Sequence, residues 1–430
     1  MKKILAIMLA ALMLFAFAAC GGNNATDGNA TDGNATTAAP ADDAAPVATP
    51  LEAAETLEDL DVDCAGIKLG LICLHDENST YDKNFIDAAK AASEALGFEL
   101  LIKTNIPESD ACTTAAEELV AEGCNIIFAN SFGHETFVMT VAEENEGVEF
   151  CHATGTNAKT AGIANFHNAF AAIYEGRYLA GIAAGMKLNE MIADGKITAE
   201  NAKIGYVGAY PYAEVKSGYT SFYLGAKSVC PSATMTVKFT NSWFDIAAEK
   251  EAALALIGEG CVLVSQHADS EGAPKACEEK GIPNVAYNVN TISMGPTTAL
   301  ISSKINWAPY MTYMINCVAS GEAIDADWCG GFNEGSVELT ELNTAVAAEG
   351  TQKAIDDAIA AFKAGTLNVF DTATFTVGGS ALAADTKADV IPDANYEADT
   401  VVIVDGVFAE SEFRSAPYFN LTIDGITVSE

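Results

Sequence analysis

From Ile67 onward, short apolar runs of strand length alternate with stretches whose apolar residues recur at helical spacing. The first unit is the run IKLGLICL, which begins at Ile67, followed by a helix predicted over 84–96 that Gly97 ends. Strands that alternate with helices in this way are typical of an α/β fold with a parallel sheet and right-handed crossovers. Two such sets of about 100 residues each predict two similar lobes with a cleft between them.

The stretch 241–288 contains two consecutive helix-then-strand units with polar and aromatic residues at their turns. A helix is predicted over 247–257, where Gly258 and Gly260 suit a helix end, and a buried strand over 261–265. In open parallel sheets, ligands bind beyond the carboxyl ends of the strands. Four side chains at such ends are therefore expected to face one crevice: Trp243, His267, Asp269 and Asn288.

The amino-terminal segment carries an export signal and a low-complexity region. Residues 1–20 combine a basic start, an apolar run and the ending FAAC, which resembles the lipobox of bacterial lipoproteins, with Cys20 as the lipidated residue. An ordinary secreted protein cleaved elsewhere is the alternative. Residues 21–64 repeat NATDG and continue in Ala, Pro, Thr and Asp, which predicts a disordered spacer.

Charge and cysteine usage exclude several classes of partner and site. The chain has 59 acidic and 22 basic residues and a formal charge of −37, which argues against binding nucleic acid or an anionic lipid surface. The ten cysteines other than Cys20 form no CxxC pair, so mostly free core thiols are expected. The five histidines show no metal-ligand spacing, so neither a metal nor a cofactor is predicted. Four of them follow predicted strands near the cleft rim: His75, His134, His152 and His267.

Sequence signatures of catalysis are missing. The chain contains no GxSxG, no phosphate-binding GxxxxGK[ST] loop and no GxGxxG that opens a helix after a strand. His267 and Asp269 have residue types found in hydrolases, but adjacent positions at one strand end rarely converge on a substrate. A non-enzymatic protein is therefore expected, with a hydrolase as the alternative. Two glycines in the helical run 174–181 predict close helix–sheet packing or a hinge, with Arg177 in a structural role.

Aromatic residues follow several predicted strands and are better placed for a cleft than for the sheet itself. Rings in a cleft suit stacking on a flat ligand whose edges polar neighbours bind. Any one of these rings could instead belong to a lobe core. The set is Tyr81, Phe132, Tyr212, Trp243 and Trp307.

Several motifs occur in a characteristic order between Ile67 and the carboxyl terminus. They are HATGT, YEGRYLAG, KIGYVGAYP with a following EV, NSWFD, SQHADS, INWAPYMTYMI and SAPYFNLTIDGI. In this order they resemble the basic membrane protein (BMP) family of ABC-transporter substrate-binding lipoproteins. The resemblance implies a type I periplasmic-binding-protein fold, with two Rossmann-like lobes of parallel sheet joined by hinge crossovers. It also implies capture of purine nucleosides or bases for import.

Individual positions can be compared with the motifs of that family. Tyr81 stands where the resemblance places a tryptophan, and Phe85 is a second stacking candidate. In the nucleoside-binding pattern, Lys304 corresponds to a lysine, whereas Asn290 stands where a ribose-binding aspartate would be. The altered sugar pocket leaves a free base or an unrelated small polar ligand open. Among the remaining candidates, Ser131, Phe132 and Gly133 match a wall motif, Tyr81 and Trp243 are the expected stacking groups, and Asp269 and Asn290 are the expected hydrogen-bonding partners.

The sequence therefore predicts a monomeric, lipid-anchored binding protein outside the cytoplasm that passes a purine-type ligand to an ABC permease. A sensing subunit of a receptor, or a binder of another polar ligand such as a sugar, is the alternative. One lobe is expected to comprise 65–168 and 289–320, and the other 169–288 and parts of 321–430.

Overall fold

The computed structural model describes residues 48–54, 62–392 and 396–429. The predicted signal peptide 1–20, the lipidation site Cys20 and the spacer up to residue 47 lie outside these described residues. Within the described ranges, no helix combines the length and the apolar character needed to cross a membrane. Nine of the ten cysteines in these ranges are buried, and Cys329 is partly exposed.

Strands and helices alternate along most of the chain. The strands are β1 (Lys68–Ile72), β2 (Glu99–Lys103), β3 (Ile126–Ala129), β4 (Glu149–Ala153), β5 (Phe166–Ala171), β6 (Lys203–Gly208), β7 (Thr234–Phe239), β8 (Leu263–Gln266), β9 (Asn284–Tyr287), β10 (Ala299–Ile305), β11 (Asp327–Gly330), β12 (Val337–Leu339), β13 (Lys387–Ala388), β14 (Thr400–Val401), β15 (Ile403–Val404), β16 (Val407–Phe408) and β17 (Ile426–Val428). The helices are α1 (Thr80–Leu96), α2 (Asp110–Ala121), α3 (Glu135–Glu144), α4 (Ile173–Ala193), α5 (Ala213–Val229), α6 (Ile246–Gly258), α7 (Gly272–Lys280), α8 (Ala308–Ser320) and α9 (Thr351–Lys363).

Two sheets form the centres of two lobes. The first has the order β11-β5-β4-β3-β1-β2, and all of its pairs are parallel. The second has the order β12-β10-β9-β8-β6-β7-β17, in which only the pair β10–β12 is antiparallel. Helices cover both sheets, as strand-helix alternation requires for buried parallel strands. The predicted α/β architecture with two parallel-sheet lobes is confirmed.

Local sequence signals account for helix ends close to those predicted. The Asp245 carboxylate caps α6 by accepting hydrogen bonds from the backbone N–H groups of Ala247 and Ala248, at 3.0 and 2.9 Å. Ser79 caps α1 in the same way through the N–H of Asp82. Such caps satisfy donors that have no partner inside the helix. They also place the first turn of each helix directly after a strand, at the edge of the cleft.

The segment 289–320 differs from its predicted place in the first lobe. Strand β10 lies in the second sheet, between β9 and β12, whereas α8 packs against α1 of the first lobe. The chain then enters the first sheet with β11, which pairs with β5. A strand and the helix that follows it therefore belong to different lobes. The sequence pattern identifies each element but contains no signal for where the chain crosses between lobes.

Part of the predicted spacer lies against the folded domain. The Leu51 N–H donates to the Glu412 carbonyl at 2.6 Å, and the Lys159 ammonium donates to the Thr49 carbonyl at 2.8 Å. Cys64 is buried in the core of the first lobe. The prediction of disorder over the whole of 21–64 is therefore wrong for 48–54 and 62–64. Apolar residues of this segment find partners only on surfaces that the tertiary fold creates.

The region after α9 contacts both lobes. Its apolar side chains complete the core of the second lobe, and β17 adds an edge strand next to β7. It also reaches the first lobe, because the backbone N–H of Ser415 donates to Asp327 of β11 at 2.9 Å. The Asn168 amide, on β5, donates to the Ser415 hydroxyl at 2.8 Å.

The glycines of the predicted small-residue helix are packed closely, as expected, but in two directions. Gly176 faces the second sheet, where an added Cβ would lie 2.7 Å from Val337. Gly181 faces α5 instead, where an added Cβ would lie 2.1 Å from the Phe222 carbonyl oxygen. The predicted helix–sheet contact therefore holds at Gly176, and a helix–helix contact replaces it at Gly181.

Candidate functional site

A cavity lies between the lobes, at the carboxyl ends of strands from both sheets. Its wall combines aromatic rings with carboxylates. The lining residues are Leu74, His75, Tyr81, Asp82, Ser131, Phe132, Thr154, Glu214, Trp243, His267, Asp269 and Tyr287.

The aromatic rings of the cavity are held by contacts outside it. The Tyr81 hydroxyl donates to the Asn130 carbonyl at 2.7 Å, which orients the ring in the first turn of α1. Trp243 packs edge-on against Tyr210, with ring centroids 5.1 Å apart. At the rim, Phe132 of the first lobe meets Tyr212 of the second, with centroids 5.7 Å apart. The rings are therefore positioned before any ligand arrives.

Asp82 is an anchored carboxylate on the first-lobe side. It accepts hydrogen bonds from the Asn130 amide at 2.8 Å and from the His75 N–H at 3.1 Å. Burial raises the pKa of Asp82, but hydrogen bonds from His75, Ser79 and Asn130 outweigh it and hold the pKa below its usual value. Asp82 therefore enters the cavity wall as an ionised acceptor.

Asp269 is a carboxyl group on the second-lobe side whose pKa is shifted in the direction opposite to that of Asp82. Burial raises its pKa well above the usual value, and the neighbouring Glu249, Asp82 and Glu214 raise it further. The Asn288 amide donates to Asp269 Oδ1 at 3.2 Å. The two aspartates of one cavity thus have pKa values shifted in opposite directions by their surroundings.

A third carboxylate, Glu214, belongs to a chain of buried polar groups. Glu214 Oε1 lies 3.2 Å from His267 Nε2, and His267 Nδ1 lies 3.2 Å from the Arg177 guanidinium. Arg177 also donates to the Gln266 carbonyl at 2.8 Å and lies over the Tyr287 ring, 3.4 Å from its centroid. The Tyr287 hydroxyl is buried and has no hydrogen-bond partner among the described residues.

The lobes touch each other directly beside the cavity. The Thr80 N–H of the first lobe donates to the Asp269 carbonyl of the second at 2.9 Å. The Asn84 amide donates to Asn288 Oδ1 at 3.2 Å. These hydrogen bonds close the cleft over the cavity, and the groups that form them would have to separate for a ligand to enter.

The structure brings six of the predicted site residues into the cavity wall. They are Tyr81, Ser131, Phe132, Trp243, His267 and Asp269. Tyr212 lies at the rim and is 45% exposed. Asn288 lies beside the cavity, in the contact between the lobes described above.

Five predicted site residues lie elsewhere. Phe85 and Trp307 stack on each other in the first-lobe core, with centroids 4.2 Å apart, so neither ring lines the cavity. The Gly133 N–H donates to Glu108 at 2.8 Å. Asn290 is exposed and accepts from the Ile292 N–H at 2.9 Å, and Lys304 forms an ion pair with Glu338 at 3.2 Å.

Two of the histidines expected near the rim are structural. His134 bonds the Ile106 carbonyl at 2.9 Å, and His152 bonds the Ser131 carbonyl at 2.7 Å. Burial lowers the pKa of His134 to about 4, so it is neutral in the core. Within the described ranges, no group of three or more His, Cys, Asp or Glu side chains is arranged to hold a metal ion.

Five lining residues were not among the sequence candidates: Leu74, Asp82, Thr154, Glu214 and Tyr287. Thr154 and Tyr287 stand at the ends of β4 and β9, where the strand-end rule could have identified them. Asp82 and Glu214 lie in the first turns of α1 and α5, which directly follow strand ends. The strand-end rule identifies Asp82 and Glu214 only if it also covers the first turn of the helix that follows each strand.

Comparisons with known proteins agree with this architecture. The family model "ABC transporter substrate-binding protein PnrA-like" (Bmp) matches residues 72–363. The chain is 32% identical over 305 residues to a purine-binding protein of Brucella abortus, covering 70% of this chain and 82% of that protein. It is 35% identical over 253 residues to a putative ABC transporter glucose-binding protein of Haloferax volcanii, covering 58% of this chain and 59% of that protein.

Solved structures show the same fold at low sequence identity. A solute-binding protein of an ABC transporter from Conexibacter woesei has a TM-score of 0.57 and 18% identity, covering 70% of this chain and 98% of that chain. One from Aeropyrum pernix has a TM-score of 0.58 and 15% identity, covering 70% and 92%. Because the family model spans more than half of the sequence, the chain belongs to the Bmp family of PnrA-like ABC transporter substrate-binding proteins.

Proposed function

We propose that this substrate-binding protein captures a purine, as the free base in preference to the nucleoside, in the cavity between its lobes. The observation that carries the proposal is the composition of the cavity wall, in which aromatic rings and carboxylates lie together. Rings such as Tyr81 and Trp243 offer faces on which a planar heterocycle can stack. Carboxylates accept the N–H groups at the edge of a purine.

The relatives support the same ligand class. The similarity extends over 82% of the Brucella protein, which is named as purine-binding. The Haloferax protein, named as a putative glucose-binding protein, is covered over 59% of its length. A sugar therefore belongs among the ligands that have to be tested.

The preference for a free base comes from the positions that the family resemblance associates with ribose. Asn290 is exposed, and Lys304 is paired with Glu338 on β12. Neither residue lines the cavity. The positions that the resemblance assigns to ribose therefore make no contact with the cavity.

The experiment is isothermal titration of the purified full-length protein with adenine, guanine, hypoxanthine, adenosine, inosine and glucose. Bases are expected to bind most tightly and to raise the unfolding temperature, because binding to the folded state stabilises it. Trp243→Ala should weaken base binding roughly tenfold or more, since stacking on an aromatic ring is worth about 1–3 kcal/mol per base.

Tyr212→Ala is the matched control, because this ring lies at the exposed rim next to Trp243. It should weaken binding less than Trp243→Ala does. Binding of glucose with no response to any purine would refute the proposal. An equal loss in both variants would show that the stacking position has been misassigned.

We also propose that the protein is anchored by a lipid on Cys20 and delivers its ligand to an ABC permease. The supporting observation is the export signal that ends in FAAC at residues 17–20. A receptor subunit that senses the same ligand would use the same cavity. Loss of purine uptake by cells that lack the gene separates the two roles, because a sensing subunit would leave uptake intact.

A further inference from the structure

Arg177 lies behind the cavity wall and contacts two residues that form it. Its guanidinium is buried, donates to the Gln266 carbonyl and lies over the Tyr287 ring. A second guanidinium nitrogen lies 3.2 Å from His267 Nδ1. Both His267 and Tyr287 line the cavity, whereas Arg177 does not.

The contact with Arg177 determines where the proton of His267 resides. A guanidinium stays protonated in proteins and can only donate hydrogen bonds. His267 Nδ1 must therefore accept, so the ring proton is on Nε2. Burial lowers the pKa of His267, and the positive charge of Arg177 lowers it further, so the ring is neutral.

The proton on Nε2 then determines the role of Glu214. His267 Nε2 lies 3.2 Å from Glu214 Oε1 and donates to it. Both nitrogens of His267 are thereby occupied, and Glu214 keeps its second oxygen as a hydrogen-bond acceptor. None of the lining residues is a lysine or an arginine within the described part of the chain, so a ligand anion would meet carboxylates without a compensating cation.

We propose that Arg177 is a positioning residue that makes Glu214 an obligatory acceptor, so that the protein selects ligands with an N–H donor on the edge facing Glu214. The inference rests on the proposed function, since it narrows the purines to those that present an exocyclic amino group, in place of the ring N–H that every purine base has, to Glu214. Gly218 supports the arrangement, because an added Cβ there would lie 2.9 Å from His267 Nδ1. The ring of His267 therefore fits between α5 and Arg177 only beside a glycine.

Two measurements on the full-length protein test the proposal. The first is the tautomer of His267, read from two-bond ¹⁵N–¹H spectra and assigned with His267→Gln. The wild type should show the Nε2–H form, and Arg177→Lys should lose it in part, because lysine has no second donor in the same plane. An Nδ1–H form in the wild type would overturn the role of Arg177.

The second measurement compares 2,6-diaminopurine with unsubstituted purine, which has no amino group. The wild type should bind the diamino compound about tenfold more tightly or better, as expected for a hydrogen bond to a charged group. Glu214→Gln should reduce this ratio about tenfold, because the new amide can also donate. Arg177→Lys should reduce the ratio in the same direction.

Arg414→Lys is the control for the Arg177→Lys change. Arg414 is a partly buried arginine, and its guanidinium lies 5.7 Å from the centroid of the Tyr418 ring. It should leave both the tautomer and the affinity ratio unchanged. Equal affinities of the two purines in the wild type would overturn the donor selection while leaving the purine proposal intact. If no purine binds at all, the proposed function fails, and the spectrum of His267 still decides the role of Arg177. Glu214→Gln keeps the test possible should Arg177→Lys not fold.

Discussion

Three glutamates with raised pKa values distinguish this protein at the scale of single residues: Glu249 and Glu410, which are buried, and Glu175, which is half-buried. Burial raises the pKa of each to about 7, from an ordinary value of 4.5. Each is satisfied by neutral donors, as in the hydrogen bond that the Ser217 hydroxyl donates to Glu410. A carboxylate in such surroundings holds its proton more firmly in the folded state than in the unfolded state.

Glu410 therefore makes stability depend on pH. Below about 4.5 the carboxyl is protonated in both states and contributes nothing. As pH rises towards about 7, the unfolded state ionises first, and stability falls. Above about 7 both states are ionised, and the buried charge costs roughly 3 kcal/mol. Glu410→Gln should remove this cost and stabilise the protein at pH 8 while changing little at pH 4.5.

Denaturant unfolding of both proteins at the two pH values measures the effect. Glu412→Gln is the control, because Glu412 is exposed two residues away. A stability difference between Glu410→Gln and wild type that stays constant from pH 4.5 to 8 would contradict the prediction. The same result would indicate that Glu410 contributes through its contact with Ser217 and not through its charge.

At the scale of elements, the pair α4 and α5 connects the scaffold to the site. The two helices approach each other closely at glycines. An added Cβ at Gly225 would lie 2.0 Å from the Tyr178 carbonyl oxygen, and one at Gly181 would lie 2.1 Å from the Phe222 carbonyl oxygen. Helix α4 carries Arg177 and α5 carries Glu214. The close helix–helix contact therefore sets the spacing of the polar chain that reaches the cavity.

Gly181→Ala should push the two helices apart and destabilise the protein by roughly 1–3 kcal/mol, the usual cost of an overpacked core. Ligand affinity should fall as well, because Glu214 moves with α5. Thermal unfolding and titration with a purine measure the two effects. Gly258→Ala is the control at the end of α6, where an added Cβ meets no described atom within 4 Å. Equal behaviour of the two variants would show that the helices can adjust at no cost.

At the scale of the whole molecule, a few hydrogen bonds hold the lobes closed. The Thr80 N–H to Asp269 carbonyl bond and the Asn84 to Asn288 bond both cross the cleft. The region after α9 also joins the lobes, because Ser415 contacts Asp327 of the first lobe and its apolar side chains pack in the core of the second. Opening for ligand exchange is therefore expected at the cleft, where these hydrogen bonds would break.

Asn84→Ala should shift the protein towards an open form. The amide of Thr80 should then exchange its hydrogen faster, because its partner lies in the other lobe. Ligand affinity should fall in proportion to the loss of the closed population. Hydrogen–deuterium exchange of the ligand-free protein measures the first effect. Asp87→Ala, an exposed change on the same helix, is the control, and equal exchange in both variants would contradict the prediction.

Most of the fold followed from local pattern. Alternating apolar runs and helical spacing indicate the two parallel-sheet lobes, because strands buried on both faces form continuous apolar runs and helices that cover a sheet carry one apolar face. The strand-end rule correctly brought Trp243, His267 and Asp269 to one cavity. The order of the motifs along the chain is sufficient to indicate the family without the tertiary structure.

The sequence by itself determined which segments form strands and helices, their alternation along the chain, and half of the residues that line the cavity. Only the tertiary structure decided that Phe85 and Trp307 stack in a core, that β10 and α8 belong to different lobes, and that Glu214 meets His267 and Arg177. The reason is that burial of a ring and the meeting of distant charges depend on how whole elements pack. Residues 177, 214 and 267 are separated along the chain, and no local period encodes the distance between them.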